Sequence, residues 1–353
     1  MGAFSHAYTK NKTGMPDQVP AASDGPLLNI RGLHASFLLR GGAILRAVDG
    51  VDFELRPGEV HGLVGESGCG KTVMALSVLG LLDVPGANVV GEIHWNGQNL
   101  VGLPERKYRT VRGREIAMVF QNAPASLNPA LRIGTQLGAL LRLHRGLNGA
   151  GAEREAERLL GAVRITDPER ILRAYAHECS GGMAQRIALA MALACRPRLL
   201  IADEPTAALD VTIAAQIIEL LRAVREEFGL SILLISHDLA VVARLCDRVS
   251  VMYLGKIVES APTRELFAHP MHPYTEALLR SAAVPDLTCV APVPVLSGEV
   301  PSPVNIPQGC RFHPRCPKIF APCSKAEPTL TSQLHKYPRG SSGKGVEDRV
   351  LVS

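Results

Sequence analysis

The chain has 353 residues, 46% hydrophobic and 20% charged; this usage excludes wholesale disorder and leaves room for about two domains of roughly 150 residues. Lysine and arginine total 38 against 33 acidic residues, and a net charge of +5 spread along the chain argues against a dedicated nucleic-acid binder. No apolar run approaches the ~18 residues of a membrane span, and eight cysteines are too few for a disulfide scaffold, so most are expected as reduced thiols.

Residues 1–25 are rich in Gly, Ala, Ser, Asp and Pro without hydrophobic periodicity and read as a flexible leader, with Met15 as an alternative start. They lack the apolar core of a signal peptide, so the chain is expected in the cytoplasm. β-Rich runs follow at Leu28–Phe37, Ala47–Leu55 and Glu59–Val64, separated by Gly-Gly and Pro-Gly turns. A helix is expected from Lys71, and a hairpin about Asn96-Gly97. Residues 126–196 read as mostly helical, with Ala156, Leu159, Leu160 and Val163 at i, i+3, i+4 and i+7. After Pro197 strands and helices alternate: Leu199–Ala202, Thr212–Glu227, Ser231–Ile235, Leu239–Leu245, Val249–Tyr253. Such alternation builds a parallel sheet with helices on its faces. Beyond about residue 285 the chain is rich in proline and carries Cys310, Cys316 and Cys323.

Gly65-Glu66-Ser67-Gly68-Cys69-Gly70-Lys71-Thr72 fits G-x-x-x-x-G-K-[ST] between an expected strand and an expected helix. The glycines let backbone N–H groups turn inward on phosphate, and the helix adds its positive end. Lys71 is placed to reach the β- and γ-phosphates and Thr72 to ligate Mg²⁺; Cys69 reads as a small space-filling residue. The apolar run Leu199–Ala202 ends in Asp203 and Glu204, and in a parallel sheet such strand ends face the ligand. Asp203 is the expected Mg²⁺ acid and Glu204 the base that activates water. Ser180-Gly181-Gly182 opens an apolar helix, with Ser180 as N-cap; alone it reads as an ordinary helix start rather than as an anion site.

In order, the phosphate loop, Gln121, Ser180-Gly181-Gly182, Asp203-Glu204, Ala208-Leu209-Asp210 and Ser236-His237-Asp238 resemble the motif set of the ABC ATPases, over about residues 27–335. With Ser126-Leu127-Asn128-Pro129, His272-Pro273-Tyr274-Thr275 and the cysteine tail, the chain looks most similar to the ATP-binding subunits of bacterial oligopeptide and dipeptide importers. The resemblance implies an α/β P-loop ABC-ATPase core over 26–285 (mixed or parallel sheet with flanking helices, plus an antiparallel β subdomain), an α-helical signature subdomain about 126–196, and an importer-type extension with a loose tail over 286–353. It implies that Phe37 stacks on adenine, and that Gln121 senses Mg²⁺ and the attacking water while contacting membrane subunits. It further implies that Ser180 and Gly182 close on ATP of an opposing subunit, that Asp210 couples the two sites, and that His237 contacts the γ-phosphate. ATP and Mg²⁺ are then the ligands. The implied partners are a second, related ABC ATPase, two membrane permeases and a solute-binding protein at the cytoplasmic face of the membrane, with no nucleic acid. The readings left beside this are a soluble ABC-class ATPase acting on ribosomes or nucleic acid, a regulatory nucleotide-binding module without hydrolysis, and an importer of nickel or another solute.

The sequence departs from the family at Cys179, where leucine is usual, and at Ala207, where a small hydroxyl residue often sits; neither touches a phosphate-holding group. Cys310, Cys316 and Cys323 have five and six residues between them, which resembles an iron–sulfur segment of some peptide-importer ATPases. A fourth ligand would have to come from Cys289, His313 or His335, and free thiols are the other reading. The Pro-rich tail has too little apolar periodicity for a core of its own, so something else must order it. It lies on a different segment from the ATP site and is expected to leave that site undisturbed. The cations Arg106, Lys107, Arg109, Arg112 and Arg114 read as a solvated helix face.

Overall fold

The computed structural model describes residues 25–207, 209–282, 298–333 and 348–352; the leader with Met15, Ala208, Cys289 and His335 lie outside them. β1 (Leu28–Leu38) and β2 (Ile44–Leu55) pair antiparallel with Leu28 opposite Leu55. Alternate residues Leu28, Ile30, Val51 and Phe53 are buried, as a half-buried sheet requires. β3 (Val60–Val64) is buried along its whole length, the mark of a central strand, and leads to the helix Lys71–Val78. β4 (Ala87–Trp95) and β5 (Gln98–Asn99) make the expected hairpin, with Asn96 (φ 48°) and Gly97 (φ 81°) both left-handed. After β6 (Ile116–Val119) comes the helical subdomain, whose longer members are Ile133–Arg145, Gly149–Ala162 and Gly181–Leu193. Ala156, Leu159, Leu160 and Val163 are all buried there. β7 (Leu199–Asp203), β8 (Ser231–Ile235) and β9 (Arg248–Tyr253) then alternate with the helices Val211–Phe228 and Leu239–Leu245.

β10 (Lys256–Pro262), β11 (Thr329–Gln333) and β12 (Asp348–Val352) complete the strands among the described residues. They form two sheets, ordered β2-β1-β4-β5 and β11-β12-β10-β9-β3-β8-β7-β6. In the larger sheet β9, β3, β8, β7 and β6 run parallel and the rest pair antiparallel, so it is mixed. The pleat of β7 divides the core: Leu199 and Ile201 face the antiparallel subdomain, while Leu200 and Ala202 face the helical side.

The described tail residues 298–333 dock on the core. Phe312, 1% exposed, packs on Tyr253 and Tyr274 at ring-centroid distances of 5.3 and 5.4 Å. Arg311 donates to the Leu254 carbonyl at 2.6 Å and pairs with Asp49, and the Arg46 N–H donates to the Pro303 carbonyl at 3.1 Å. The basic stretch on the helix Glu105–Val111 is only partly solvated: Arg112 donates to the Leu79 and Gly80 carbonyls and pairs with Glu105.

Candidate nucleotide site

The carboxyl ends of β3, β6, β7 and β8 open on one edge of the large sheet, where a parallel fold gathers its ligands. Beyond Val64 the chain turns through Gly65 (φ 151°), Gly68 (φ 79°) and Gly70 (φ 112°). A Cβ on Gly65 would stand 2.1 Å from the Met252 carbonyl oxygen, and one on Gly70 2.2 Å from that of Ala47. Backbone on both sides thus excludes any side chain. Ser67 and Gly68 lie exposed at the mouth of the loop. Lys71 is only 5% exposed, and its Nζ donates to the Gly65 and Glu66 carbonyls at 2.7 and 3.0 Å. Cys69 is buried 3.7 Å from that Nζ. Burial pushes its thiol above the ordinary range, which suits a packing residue rather than a nucleophile.

Asp203, 3% exposed, accepts a 2.9 Å hydrogen bond from the Thr72 hydroxyl on Oδ2. Its Oδ1 is buried without a partner among the described residues. Burial raises its carboxyl pKa; the Thr72 bond and Lys71 oppose this, and Glu204 adds to it. An orphaned carboxylate oxygen beside a hydroxyl fits a small hard cation such as Mg²⁺. Burial disfavours ionised Asp203, so Asp203→Asn is expected to raise the melting temperature of the nucleotide-free protein by about 1–3 °C. The same variant should lose the Mg²⁺-dependent part of the ATP-induced shift, read by calorimetry in EDTA against Mg²⁺. A drop without nucleotide would instead make the carboxylate a structural requirement.

Glu204 stands just past β7 with φ 47°, a left-handed conformation unusual for a side-chain-bearing residue. Its N–H donates to the Ile235 carbonyl at 2.9 Å. Gln121 Nε2, from the end of β6, donates to Glu204 Oε2 at 2.9 Å, and His237 Nδ1, from the end of β8, lies 3.2 Å from Oε1. His237 is 64% exposed and open to a ligand. Residues distant in the chain therefore meet around one carboxylate.

The signature residues stand apart. Ser180 caps the helix Gly181–Leu193, accepting from the Met183 N–H at 3.3 Å, and among the described residues no hydrogen bond joins it to Gly65–Thr72. Asp210 caps Val211–Phe228 through the Ile213 N–H at 2.9 Å. A Cβ on Gly182 would come 2.9 Å from Ile213 Cγ2, so these two segments pack on each other. Gly181 faces open space. Phe37 is half-buried opposite Leu45, two residues along β2 from the Ala47 carbonyl that abuts Gly70.

The cysteine tail departs from expectation in two ways. Among the described residues no group of three His, Cys, Asp or Glu side chains is placed to hold a metal ion. Cys310, Cys316 and Cys323, although Cys310 and Cys323 share a 2.8 Å backbone hydrogen bond, therefore do not by themselves fit an iron–sulfur cluster. Of the other ligands considered, His313 turns Nδ1 to the Cys310 carbonyl at 2.8 Å, and Cys289 and His335 lie outside the described residues. Nor does the tail lie away from the phosphate loop: Arg315 pairs with Glu66, whose N–H donates to Tyr274 of the preceding helix. No local pattern announces a partnership across 249 residues.

A glycine-cornered phosphate loop after β3 and two acids at the end of β7, one strand removed in the sheet, make this a P-loop nucleoside triphosphatase. Comparison with known proteins narrows the class. Residues 48–207 match the family described as ABC transporter, and residues 258–323 the oligopeptide/dipeptide transporter, C-terminal region. A putative peptide import ATP-binding protein of Brucella abortus is 48% identical over 307 residues, 87% of this chain and 92% of that one. The oligopeptide transport ATP-binding protein OppD of Salmonella typhimurium is 45% identical over 303 residues, 86% and 89% of the two chains. Among solved structures, a dimeric post-hydrolysis state of the ATP-binding cassette MJ0796 with ADP and Pi superposes with TM-score 0.60 at 28% identity, covering 67% of this chain and 99% of that chain. The chain belongs to the ATP-binding proteins of the ABC transporter family, in the branch that carries the oligopeptide/dipeptide C-terminal region.

Proposed function

We propose that this chain is the ATP-hydrolysing motor subunit of a bacterial ABC importer, energising uptake of di- or oligopeptides through membrane permease partners. The observation that carries this reading is the presence on one chain of the ABC core and the oligopeptide/dipeptide C-terminal region, with relatives at 45–48% identity named for peptide import. Lys71 and backbone N–H groups of the Gly65–Thr72 loop other than that of Glu66 bind the phosphates, and Phe37 stacks on the base. Thr72, Asp203 and Gln121 hold Mg²⁺, which when bound neutralises charge on the β- and γ-phosphate oxygens. Glu204 takes the proton of the attacking water. Gln121 fixes the orientation of that carboxylate, and His237 turns from it toward the γ-phosphate.

No helix among the described residues is long and apolar enough to cross a membrane. In the proposed importer, passage falls to two permeases fed by a solute-binding protein, with this chain peripheral on the cytoplasmic face. Its ATPase partner is a related but different subunit. Reconstitution with the permeases and binding protein tests the function: ATP-dependent peptide uptake supports it, and uptake of nickel alone or none at all rejects it. The arrangement in which Ser180, Gly182 and Asp210 complete the partner's site has its own test. Gly182→Asp sets a carboxylate against the partner's γ-phosphate and displaces Ile213. Like charges in contact cost several kcal/mol, so turnover should fall by about 100-fold or more and the ATP-induced dimer should vanish in sedimentation. Binding of ATP to the single chain should persist; its loss would mean Gly182 serves its own site.

A further inference from the structure

Two side chains from the C-terminal region converge on one residue of the phosphate loop. The Glu66 carboxylate takes both arms of the Arg315 guanidinium, Nη1 to Oε2 at 2.7 Å and Nη2 to Oε1 at 3.0 Å. The Glu66 N–H donates to the Tyr274 hydroxyl at 2.9 Å. The Arg315 side chain is 4% exposed, and Tyr274 is fully buried. Tyr253, Tyr274 and Phe312 form the aromatic floor beneath them, with Arg315 set over the Tyr253 ring. The turn that presents Tyr274 is pinned in turn by the buried Glu259, whose carboxylate accepts from the Met271 and His272 N–H groups at 2.9 and 3.0 Å. Burial keeps the Tyr274 phenol protonated, hence neutral, beside the loop.

Glu66 is an acid placed in a loop whose work is to hold phosphates. Left bare, its carboxylate would repel a triphosphate, and Lys71 already has that ligand to bind. A two-armed guanidinium matches a carboxylate in both charge and shape. Arg315 removes the repulsion, while the Tyr274 hydroxyl fixes the backbone where the loop leaves β3.

We infer that Arg315 is a positioning residue for ATP binding: it neutralises Glu66 and, with Tyr274, holds the start of the phosphate loop in the form that accepts a triphosphate. The inference rests on the reading of Gly65–Thr72 as the ATP loop. Its test is the dissociation constants of the full chain for ATP and ADP. Arg315→Met should weaken ATP binding by about 10-fold, the order expected for one uncompensated unit charge at close range. ADP, with one charge fewer, should lose less. In the double variant Glu66→Gln/Arg315→Met, ATP affinity should return to within about 2–3-fold of the parent, because a neutral amide needs no counter-charge. Arg315→Lys keeps the charge and should stay nearer the parent than Arg315→Met, which separates lost charge from lost folding. If Arg315 only docks the tail, ATP and ADP weaken alike and Glu66→Gln restores neither; that result overturns the inference, as does unchanged ATP affinity in Arg315→Met. Lys71→Ala is measured alongside. Loss of binding there with no effect at Arg315 rejects this inference alone, whereas intact binding there rejects the reading of the loop and this inference with it.

Discussion

Glu204→Gln is expected to yield a protein that binds ATP normally but turns it over about 10²–10⁴-fold more slowly, the usual cost of losing a positioned base. The structure gives a reason to expect the shape of the site to survive. Gln121 Nε2 donates to Glu204 Oε2 at 2.9 Å, and an amide oxygen accepts the same bond. The backbone bond from the residue 204 N–H to the Ile235 carbonyl is independent of the side chain. What the amide lacks is the capacity to take a proton from water. Phosphate release by the assembled transporter, measured beside nucleotide affinity, reads the two effects separately. Unchanged turnover would remove Glu204 from the role of base.

Lys71→Ala is expected to act one step earlier, on binding itself. Hydrogen bonds to charged groups contribute about 1.5–3 kcal/mol each, and tenfold in affinity corresponds to about 1.4 kcal/mol, so ATP should bind about 10–100-fold more weakly. Stability without nucleotide should change little. The ammonium there is only 5% exposed, so removing the desolvation cost of a buried charge offsets the two hydrogen bonds that the Gly65 and Glu66 carbonyls lose. Thermal unfolding with and without Mg²⁺-ATP measures both quantities. A parent-like nucleotide shift in the variant would show that Lys71 does not hold phosphate.

Features set within a few residues were legible in the sequence. The phosphate loop is one, because its three positive-φ glycines and the lysine they deliver lie inside eight residues of chain. Helix starts are another: Ser180 caps its helix through an N–H three residues on, as the Ser-Gly-Gly pattern implies. Strands such as β7 and β8 announced themselves by apolar runs that only a sheet covered on both faces can bury. β10 did not, because Glu259 and Ser260 interrupt its apolar pattern; both are buried, Glu259 by accepting two backbone N–H groups and Ser260 by bonding Ser250. Without β10 the antiparallel extension of the large sheet was invisible.

The assembly of the site depended on pairings that no local pattern encodes. Thr72 meets Asp203 across 131 residues, a meeting the strand-end rule for parallel sheets implied, and Gln121 meets Glu204 across 83, which only the order of known family motifs suggested. Arg315 meets Glu66 across 249 residues with no such guide. Local conformation follows from backbone sterics and nearest-neighbour hydrogen bonds, which the residue types themselves carry. Which distant charge cancels which is decided only when burial brings the chain together and obliges each desolvated group to find a partner. For this protein the sequence determined the glycine-cornered loop of the candidate site, and the tertiary structure alone decided that a C-terminal arginine would pair with the acid within it.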